Sequence, residues 1–148
     1  MTIAGAPVAP AAAAIRTWDA GGPNANWTTA ANWQGDVAPA AGDTLVFPTG
    51  VVELPTTNDF PDGTEFASLT FGESYFLDGN RILLAEGITN TSTQTVVIAL
   101  DITLKGQLIG SNTVTIDVAA GGHVRLDGVI NGAPSARLVK LGAGRLLL

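Results

Sequence analysis

The sequence predicts an all-β chain folded as a parallel β-solenoid, and two patterns carry this prediction. In short stretches, apolar residues alternate with polar residues at period 2. No stretch of eleven or more residues shows the 3.6-residue period of a helix. Short connections containing glycine separate these stretches. Strand–glycine–strand units recur at roughly 15–25 residues, which is a length typical of one solenoid coil.

The distribution of aromatic residues separates a solenoid from other all-β folds. Only 6% of the 148 residues are aromatic, and none lies after Phe76. Small aliphatic side chains suit the narrow core of a solenoid, whereas a β-sandwich normally places aromatic rings between its two sheets. A β-sandwich is therefore the alternative to the solenoid.

The chain divides into three segments. Residues 1–14 are small, uncharged and interrupted by proline, which is typical of a flexible arm. Residues 15–50 are rich in Trp, Asn and Gly and predict an N-terminal cap. Residues 51–148 predict the solenoid coils, which we expect to be truncated at the C-terminal side. The predicted strands are 44–47, 51–54, 66–71, 75–77, 81–85, 93–100, 102–104, 107–110, 113–118, 123–130, 137–142 and 145–148.

Composition excludes several classes of protein. Hydrophobic residues make up 46% of the chain and charged residues 14%, the opposite of the balance found in disordered proteins. The longest apolar runs are far shorter than the roughly 20 residues of a membrane-spanning helix. The absence of cysteine excludes disulfides and thiolate-bound metals. A single histidine, His123, leaves no histidine cluster for a transition metal.

Charge excludes two kinds of partner and is unevenly distributed. The net charge is −6, and no cluster of Lys and Arg is present that could displace counterions from a nucleic acid or bind an anionic membrane. Residues 1–100 hold ten acidic residues and two arginines, whereas residues 101–148 hold three acidic and five basic residues. We therefore expect an acidic front and a mildly basic rear.

Motifs at both ends of the chain resemble bacterial autotransporter-type passenger proteins that carry the autotransporter-associated β-strand repeat. The opening pattern pairs W–x–x–Gly–Gly with W–Thr and Asn–W–x–Gly, followed by Pro, Gly–Asp and an apolar strand. The matching residues are Trp18, Gly21, Gly22, Trp27, Thr28, Asn32, Trp33, Gly35, Pro39, Gly42, Asp43, Leu45, Val46 and Phe47. The repeat signature L–x–K–x–G–x–G–x–L–x–L is matched at the rear by Leu138, Lys140, Gly142, Gly144, Leu146 and Leu148.

This resemblance implies a right-handed parallel β-helix that is extracellular and structural or adhesive. It covers nearly the whole chain after residue 15. It brings no catalytic residue with it, because the shared motifs contain none. The membrane barrel that exports such passengers does not occur in this sequence, so the resemblance does not imply autotransport.

Tryptophan and asparagine side chains near the front suggest a second function. Trp18, Trp27 and Trp33, together with Asn32, could form a sugar-binding platform, because indole faces stack on sugar rings and carboxamides pair with hydroxyl groups. The same residues would equally form a cap, with the rings covering the first coil and asparagine holding the turns. We expect the cap.

Carboxylates offer two weaker hypotheses. Asp59, Asp62 and Glu65 resemble an oxygen-rich Ca²⁺ loop, although the spacing departs from the EF-hand and a solvated turn explains it as well. A pair of carboxylates could also cleave a polysaccharide, as in a polysaccharide lyase fragment. The candidates for that pair are Asp59, Asp62, Asp78, Asp101 and Asp127. Between the two hypotheses and a structural role for these side chains, we expect the structural role.

Two features near the rear concern surfaces. His123, Arg125 and Asp127 alternate with apolar residues and predict a solvent-exposed strand face. The last residues, Arg145, Leu146, Leu147 and Leu148, form an apolar strand without a polar cap, and thus a candidate self-association edge. Either further coils of a longer solenoid follow there, or copies stack end to end into a fibre or a closed oligomer.

Together these features predict a non-enzymatic structural or adhesive module of a bacterial surface or secreted protein. The expected partners are a second copy, the rest of a longer solenoid, or surface glycans. No cofactor, nucleic acid or membrane insertion is expected. A carbohydrate-binding module is the first alternative and a lyase fragment the second.

Overall fold

The computed structural model describes residues 13–51, 55–105 and 113–148. This part of the chain forms thirteen β-strands and one 3-10 turn at Ala30–Asn32, with no α-helix. No helix in the described residues is long and apolar enough to cross a membrane. The strands are β1 (Ile15–Thr17), β2 (Thr44–Phe47), β3 (Pro55–Asn58), β4 (Thr64–Phe71), β5 (Tyr75–Gly79), β6 (Ile82–Asn90), β7 (Thr95–Ile98), β8 (Ile102–Leu104), β9 (Thr113–Val118), β10 (His123–Leu126), β11 (Ile130–Gly132), β12 (Arg137–Leu141) and β13 (Arg145–Leu147).

The strands stack into a β-solenoid of about four turns, which confirms the predicted fold class. Every pairing between named strands is parallel, and consecutive strands belong to different sheets or to different parts of one sheet. A parallel sheet made this way needs no tight hairpin, because each strand pairs with the strand one full coil later in the chain.

The chain visits three faces in each coil. The first face holds β1, β2, the second halves of β4 and β6, then β9 and β12. The second face holds β3, β5, β7, β10 and β13. The third face holds the first halves of β4 and β6, then β8 and β11. A register shift between Phe66 and Ser68 marks where β4 passes from the third face to the first.

The core consists of columns of side chains that run along the stack. Leu45, Leu69, Ile88 and Ile116 lie in register on consecutive coils of the first face, and each is at most 1% exposed. Because residues in register on parallel strands point to the same side of the sheet, these four side chains lie one above another. Burial of such columns is the main stabilising term of the fold.

Glycine is required where one coil passes closest to the next. Gly79, at the end of β5, has φ +105°, and a Cβ there would lie 2.3 Å from the carbonyl oxygen of Asn58 in the coil before it. Gly142, after β12, has φ +70° and would bring a Cβ to 2.2 Å from the Val118 carbonyl oxygen. Any other residue at these positions would be strained and would also clash.

Coil length varies more than the sequence pattern indicates. Along the first face, the register positions 45, 69, 88, 116 and 140 are separated by 24, 19, 28 and 24 residues. Three of these spacings fall in the predicted range. The coil of 28 residues exceeds it and contains residues 106–112, which lie outside the described part of the chain.

The predicted elements differ from the structure in several places, two of which lie in the first coil. Strand β3 was not predicted, because Pro55–Asn58 lacks apolar alternation and its sequence, PTTN, contains three polar residues. The boundary predicted at residue 50 falls inside the first coil, since β2 already pairs with β4. The predicted strand 107–110, residues 52–54 of the predicted strand 51–54, and nearly all of the arm at 1–14 lie outside the described residues.

Candidate functional site

The three tryptophans lie inside the protein at the front of the stack. Trp18, Trp27 and Trp33 are 1%, 0% and 0% exposed, and the rings of Trp18 and Trp33 meet edge to face with their centroids 5.1 Å apart. All three rings also pack against Phe47 in β2. A sugar-binding platform needs an exposed indole face, and none of these rings offers one. The structure therefore gives these residues a packing role, and they form no exposed platform on which a sugar ring could stack.

Asn32 holds the turns of this tryptophan block, defined here as residues 18–34. Its side chain is fully buried. The Nδ2 group donates to the carbonyl oxygens of Asn24 and Asn26 at 2.9 and 2.8 Å, and Oδ1 accepts from the Gly22 backbone N–H at 2.9 Å. One carboxamide thus holds three backbone groups of this turn-rich segment at once.

The tryptophan block covers the C-terminal end of β1 on its outer edge. The N–H of Gln34 donates to the Thr17 carbonyl at 2.8 Å, and the N–H of Asp19 donates to the Asn32 carbonyl at 2.8 Å. The bridge between Trp18 and Trp33 is antiparallel. Because residues 32–34 run antiparallel to β1, they end the parallel ladder of the first face.

Backbone hydrogen bonds also join residues that precede β2 to the first strand of each of the other two faces. On the second face, the Trp27 N–H donates to the Thr57 carbonyl at 3.0 Å, and the Thr57 N–H donates to the Ala25 carbonyl at 2.9 Å. On the third face, the Gly42 N–H donates to the Glu65 carbonyl at 2.8 Å. The front of the stack is therefore covered on all three faces by residues that precede β2.

Asp43 fastens this covering segment to the first coil, and its carboxylate is only 3% exposed. It accepts hydrogen bonds from the backbone N–H groups of Ala14 and Ala40 at 2.7 and 2.9 Å, and from Arg16 Nε at 3.1 Å. Desolvation alone would raise the pKa of Asp43, but these hydrogen bonds and the Arg16 charge outweigh it and hold the pKa below its ordinary value. Apart from its place in the Gly–Asp motif, no contact of Asp43 is predictable from the sequence, because its partners lie on both sides of it along the chain.

We expect Asp43→Asn to reduce the free energy of unfolding by about 2 kcal/mol at pH 7, since the neutral amide loses the Arg16 ion pair and at least one backbone hydrogen bond. Because the folded pKa is depressed, the carboxylate stabilises the fold fully above its unfolded pKa of about 4, and this contribution is lost as the pH falls through the folded pKa. Urea unfolding at pH 7, 4 and 2.5 should show the gap between wild type and variant narrowing toward the lowest pH.

The matched control for this prediction is Asp36→Asn, because Asp36 is exposed on the same segment and its backbone conformation, φ +54°, is one that asparagine adopts readily. Its stability should stay within about 0.5 kcal/mol of wild type. Equal losses in the two variants, or a gap that does not change with pH, would contradict the role assigned to Asp43.

The three carboxylates of the predicted Ca²⁺ loop do not converge. Asp59 accepts from the Thr28 backbone N–H at 2.9 Å and also from the Thr28 hydroxyl. Asp62 forms an ion pair with Arg81 at 2.6 Å, and Glu65 forms one with Lys105 at 2.7 Å. In the described ranges, no three His, Asp or Glu side chains are placed to hold a metal ion. The hypothesis of a Ca²⁺ loop is therefore wrong for these three residues, because each carboxylate bonds to a different neighbouring segment.

The carboxylates considered for polysaccharide cleavage are separated in the same way. Asp78 accepts from the Thr57 hydroxyl at 2.7 Å, Asp101 from the Val129 N–H at 2.8 Å, and Asp127 from the Arg125 guanidinium at 2.7 Å. Each of these bonds joins neighbouring coils or neighbouring residues. None of the five candidates is paired with another through these contacts.

The alternating strand β10 has the predicted orientation. Val124 and Leu126 are 0% and 5% exposed, so they point inward, and Arg125 and Asp127 lie on the solvent side. His123 Nδ1 lies 3.4 Å from the Thr95 hydroxyl of the preceding coil. The prediction of an exposed polar face is confirmed at Arg125 and Asp127, whereas His123 is half-buried.

A shallow surface pocket of about 320 Å³ lies on the third face. Asp62, Gly63, Arg81, Leu83 and Thr103 line it. Asp62 and Arg81 form an ion pair within this lining. Leu83 of β6 and Thr103 of β8 contribute an apolar and a hydroxyl side chain. Its charged groups already pair with each other.

The rear end differs from the front. Strand β12 pairs only with β9, β13 pairs only with β10, and β11 pairs only with β8, so each has a partner on one side among the described strands. Arg145, Leu147 and Leu148 of the predicted self-association edge are exposed, whereas Leu146 points inward in register with Val124. Of the eight large hydrophobic residues exposed in the described chain, five lie here: Val129, Val139, Leu141, Leu147 and Leu148.

Comparison with models of known protein families, with curated proteins and with solved structures found no match to this chain. The resemblance to autotransporter-type passengers therefore stays a prediction that rests on the sequence motifs given above.

Proposed function

We propose that this chain is a non-enzymatic structural module of a bacterial surface or secreted protein, a solenoid segment that spaces or displays other parts of an assembly. The observation that carries this proposal is the difference between the two ends. At the front, residues that precede β2 bond to the first coil on all three faces, and at the rear β11, β12 and β13 each pair on one side only among the described strands.

Such an arrangement suits a rod that starts at one end and can be extended at the other. Parallel ladders continue from coil to coil, so a pulling force along the stack is shared by the hydrogen bonds of all three faces. The Asp and Glu side chains support this use, because they join coils through Glu65–Lys105, Asp62–Arg81 and Thr57–Asp78. Further coils, from this chain or another, would add at β11, β12 and β13 by pairing with their free sides.

End-to-end stacking of copies into a fibre stays a prediction, and the front imposes a condition on it. A rear strand could join β1 only if residues 32–34 left its outer edge, which would expose the buried Asn32 and Trp33 side chains. A head-to-tail fibre would therefore lose the free energy of burying these two side chains.

The proposed location can be tested by immunolabelling. Antibodies raised against the folded chain should label intact, unpermeabilised cells of the organism that makes it, or its culture medium, at an intensity that permeabilisation does not increase. An antibody against a cytoplasmic protein, which should label only permeabilised cells, is the control. Labelling of this chain only after permeabilisation would contradict the proposal.

A further inference from the structure

The outer side of the first face carries hydroxyl groups in two columns that run along the stack. Residues in register on parallel strands point to the same side of the sheet, so each column can be read from the strand pairing. One column consists of Thr17, Val46, Thr70, Thr89, Asp117 and Leu141. The other consists of Ile15, Thr44, Ser68, Gly87, Thr115 and Val139. The six Thr and Ser residues of these columns are called the hydroxyl array below.

The hydroxyl groups of the array face solvent. Each of its residues is half-buried and alternates along its strand with an inward residue, such as Leu69 in β4 or Ile88 in β6. The hydroxyls of Thr44 and Ser68 lie 3.3 Å apart on neighbouring strands. The other four have no hydrogen-bond partner among the described residues, and none of them is sealed from solvent. The array is therefore available to bind an outside group.

Charge distinguishes these two columns from the outer sides of the other faces. Of their twelve positions only Asp117 is charged. The second face presents Asp78, Arg125 and Asp127 to solvent, and the third face carries the ion pairs of Arg81 and Lys105 with their carboxylates. A face with so little charge suits an uncharged partner, because no ionic group has to lose its hydration on contact.

The spacing of the array narrows the choice of partner. Neighbouring strands of a sheet lie about 4.8 Å apart, and outward residues along one strand are separated by roughly 6.7 Å. Pairing on both sides of β2, β4 and β6 holds the array at these distances. The oxygen atoms on a face of ice repeat at distances close to both. Waters bound to the hydroxyls would therefore occupy positions that suit an ice lattice, and the threonine methyl groups restrict how the waters between them orient.

We propose that the first face binds ice through the hydroxyl array. Protein molecules held on an ice surface force the ice between them to grow with a curved front, which lowers the freezing temperature below the melting temperature. A flat polysaccharide is the competing uncharged partner, but sugar rings stack on aromatic side chains and the two columns contain none. The exposed ring of Phe76 lies on the second face. This inference goes beyond the proposed function and does not depend on what adds at the rear.

The test measures the gap between the melting and freezing temperatures of a single ice crystal in a solution of the full chain. We expect wild type to open a gap that grows with protein concentration. Thr70→Tyr and Thr89→Lys place a larger side chain at the centre of the array, which would hold the flat face away from the lattice, so both should lose most of the gap. Tyrosine suits an outward strand position, so Thr70→Tyr should fold, and circular dichroism checks this.

The matched controls are Val97→Tyr and Val97→Lys, because Val97 is a half-buried outward residue on the second face. Both should keep the wild-type gap. A wild-type chain that opens no gap would overturn the proposal, and so would equal losses in the Val97 and array variants. A pull-down with insoluble cellulose and chitin is run in parallel. Retention on either polysaccharide without any effect on ice would assign the face to a glycan instead.

Discussion

Replacing Phe47 with alanine should lower the free energy of unfolding by about 4 kcal/mol, the largest loss we expect from any single side chain. The ring is fully buried and contacts three tryptophans, and it also stacks on Phe71 with centroids 5.1 Å apart and an interplanar angle of 11°. Removing it would leave a cavity where the tryptophan block meets the first coil. The surrounding rings are large and mutually packed, so they could not collapse into that space.

Urea unfolding followed by tryptophan fluorescence measures this loss, and Phe76→Ala is the matched control. Phe76 lies on β5 with its side chain outward and 40% exposed, so its replacement should cost about 1 kcal/mol or less. A similar loss in the two variants would mean that the aromatic cluster does not stabilise the front of the stack.

Asn32→Ala should destabilise the protein by about 3 kcal/mol, because the change removes three hydrogen bonds made by one side chain and leaves a void at a fully buried position. We expect the loss to appear first at the front. Amide hydrogen exchange in residues 18–34 should accelerate more than exchange in β7 and β10, since these strands are remote from Asn32 in the stack.

Two further variants test whether the carboxamide itself is responsible. Asn32→Asp keeps an acceptor for the Gly22 N–H but cannot donate to Asn24 and Asn26, and it should lose at least as much stability as the alanine variant because it also buries a charge. Gln34→Ala keeps the backbone N–H that bonds Thr17 and removes only an exposed side chain, so it should stay within about 0.5 kcal/mol of wild type. An unaffected Asn32→Asp variant would contradict the role assigned to the side-chain donor.

Much of the candidate site could not be predicted, because its contacts join residues far apart in the chain. Glu65 and Lys105 are forty positions apart and meet only after two coils have stacked, so the sequence shows Glu65 only beside its nearest acidic neighbours, as a weak candidate for a Ca²⁺ loop. The tryptophans illustrate the same point. Their sequence positions are compatible with a sugar platform and with a cap, and only the packing against Phe47 buries them.

The sequence by itself determined the fold class, because the signals for it are local. Period-2 alternation in β2, β9 and β10 predicts which side chains point inward. The absence of aromatic residues after Phe76 agrees with the narrow aliphatic columns of the later coils. The concentration of aromatic residues before that point corresponds to the block of rings at the front.

Only the tertiary structure decided the register between coils. Successive coils differ in length by up to nine residues, so the spacing in the chain does not tell which residue of one coil lies above which residue of the next. A shift of a single residue would turn every side chain of a strand to the opposite face. The register therefore decides that Arg16 and Lys140 lie in line with the buried column of Leu45, Leu69, Ile88 and Ile116, which their separation in the sequence does not reveal.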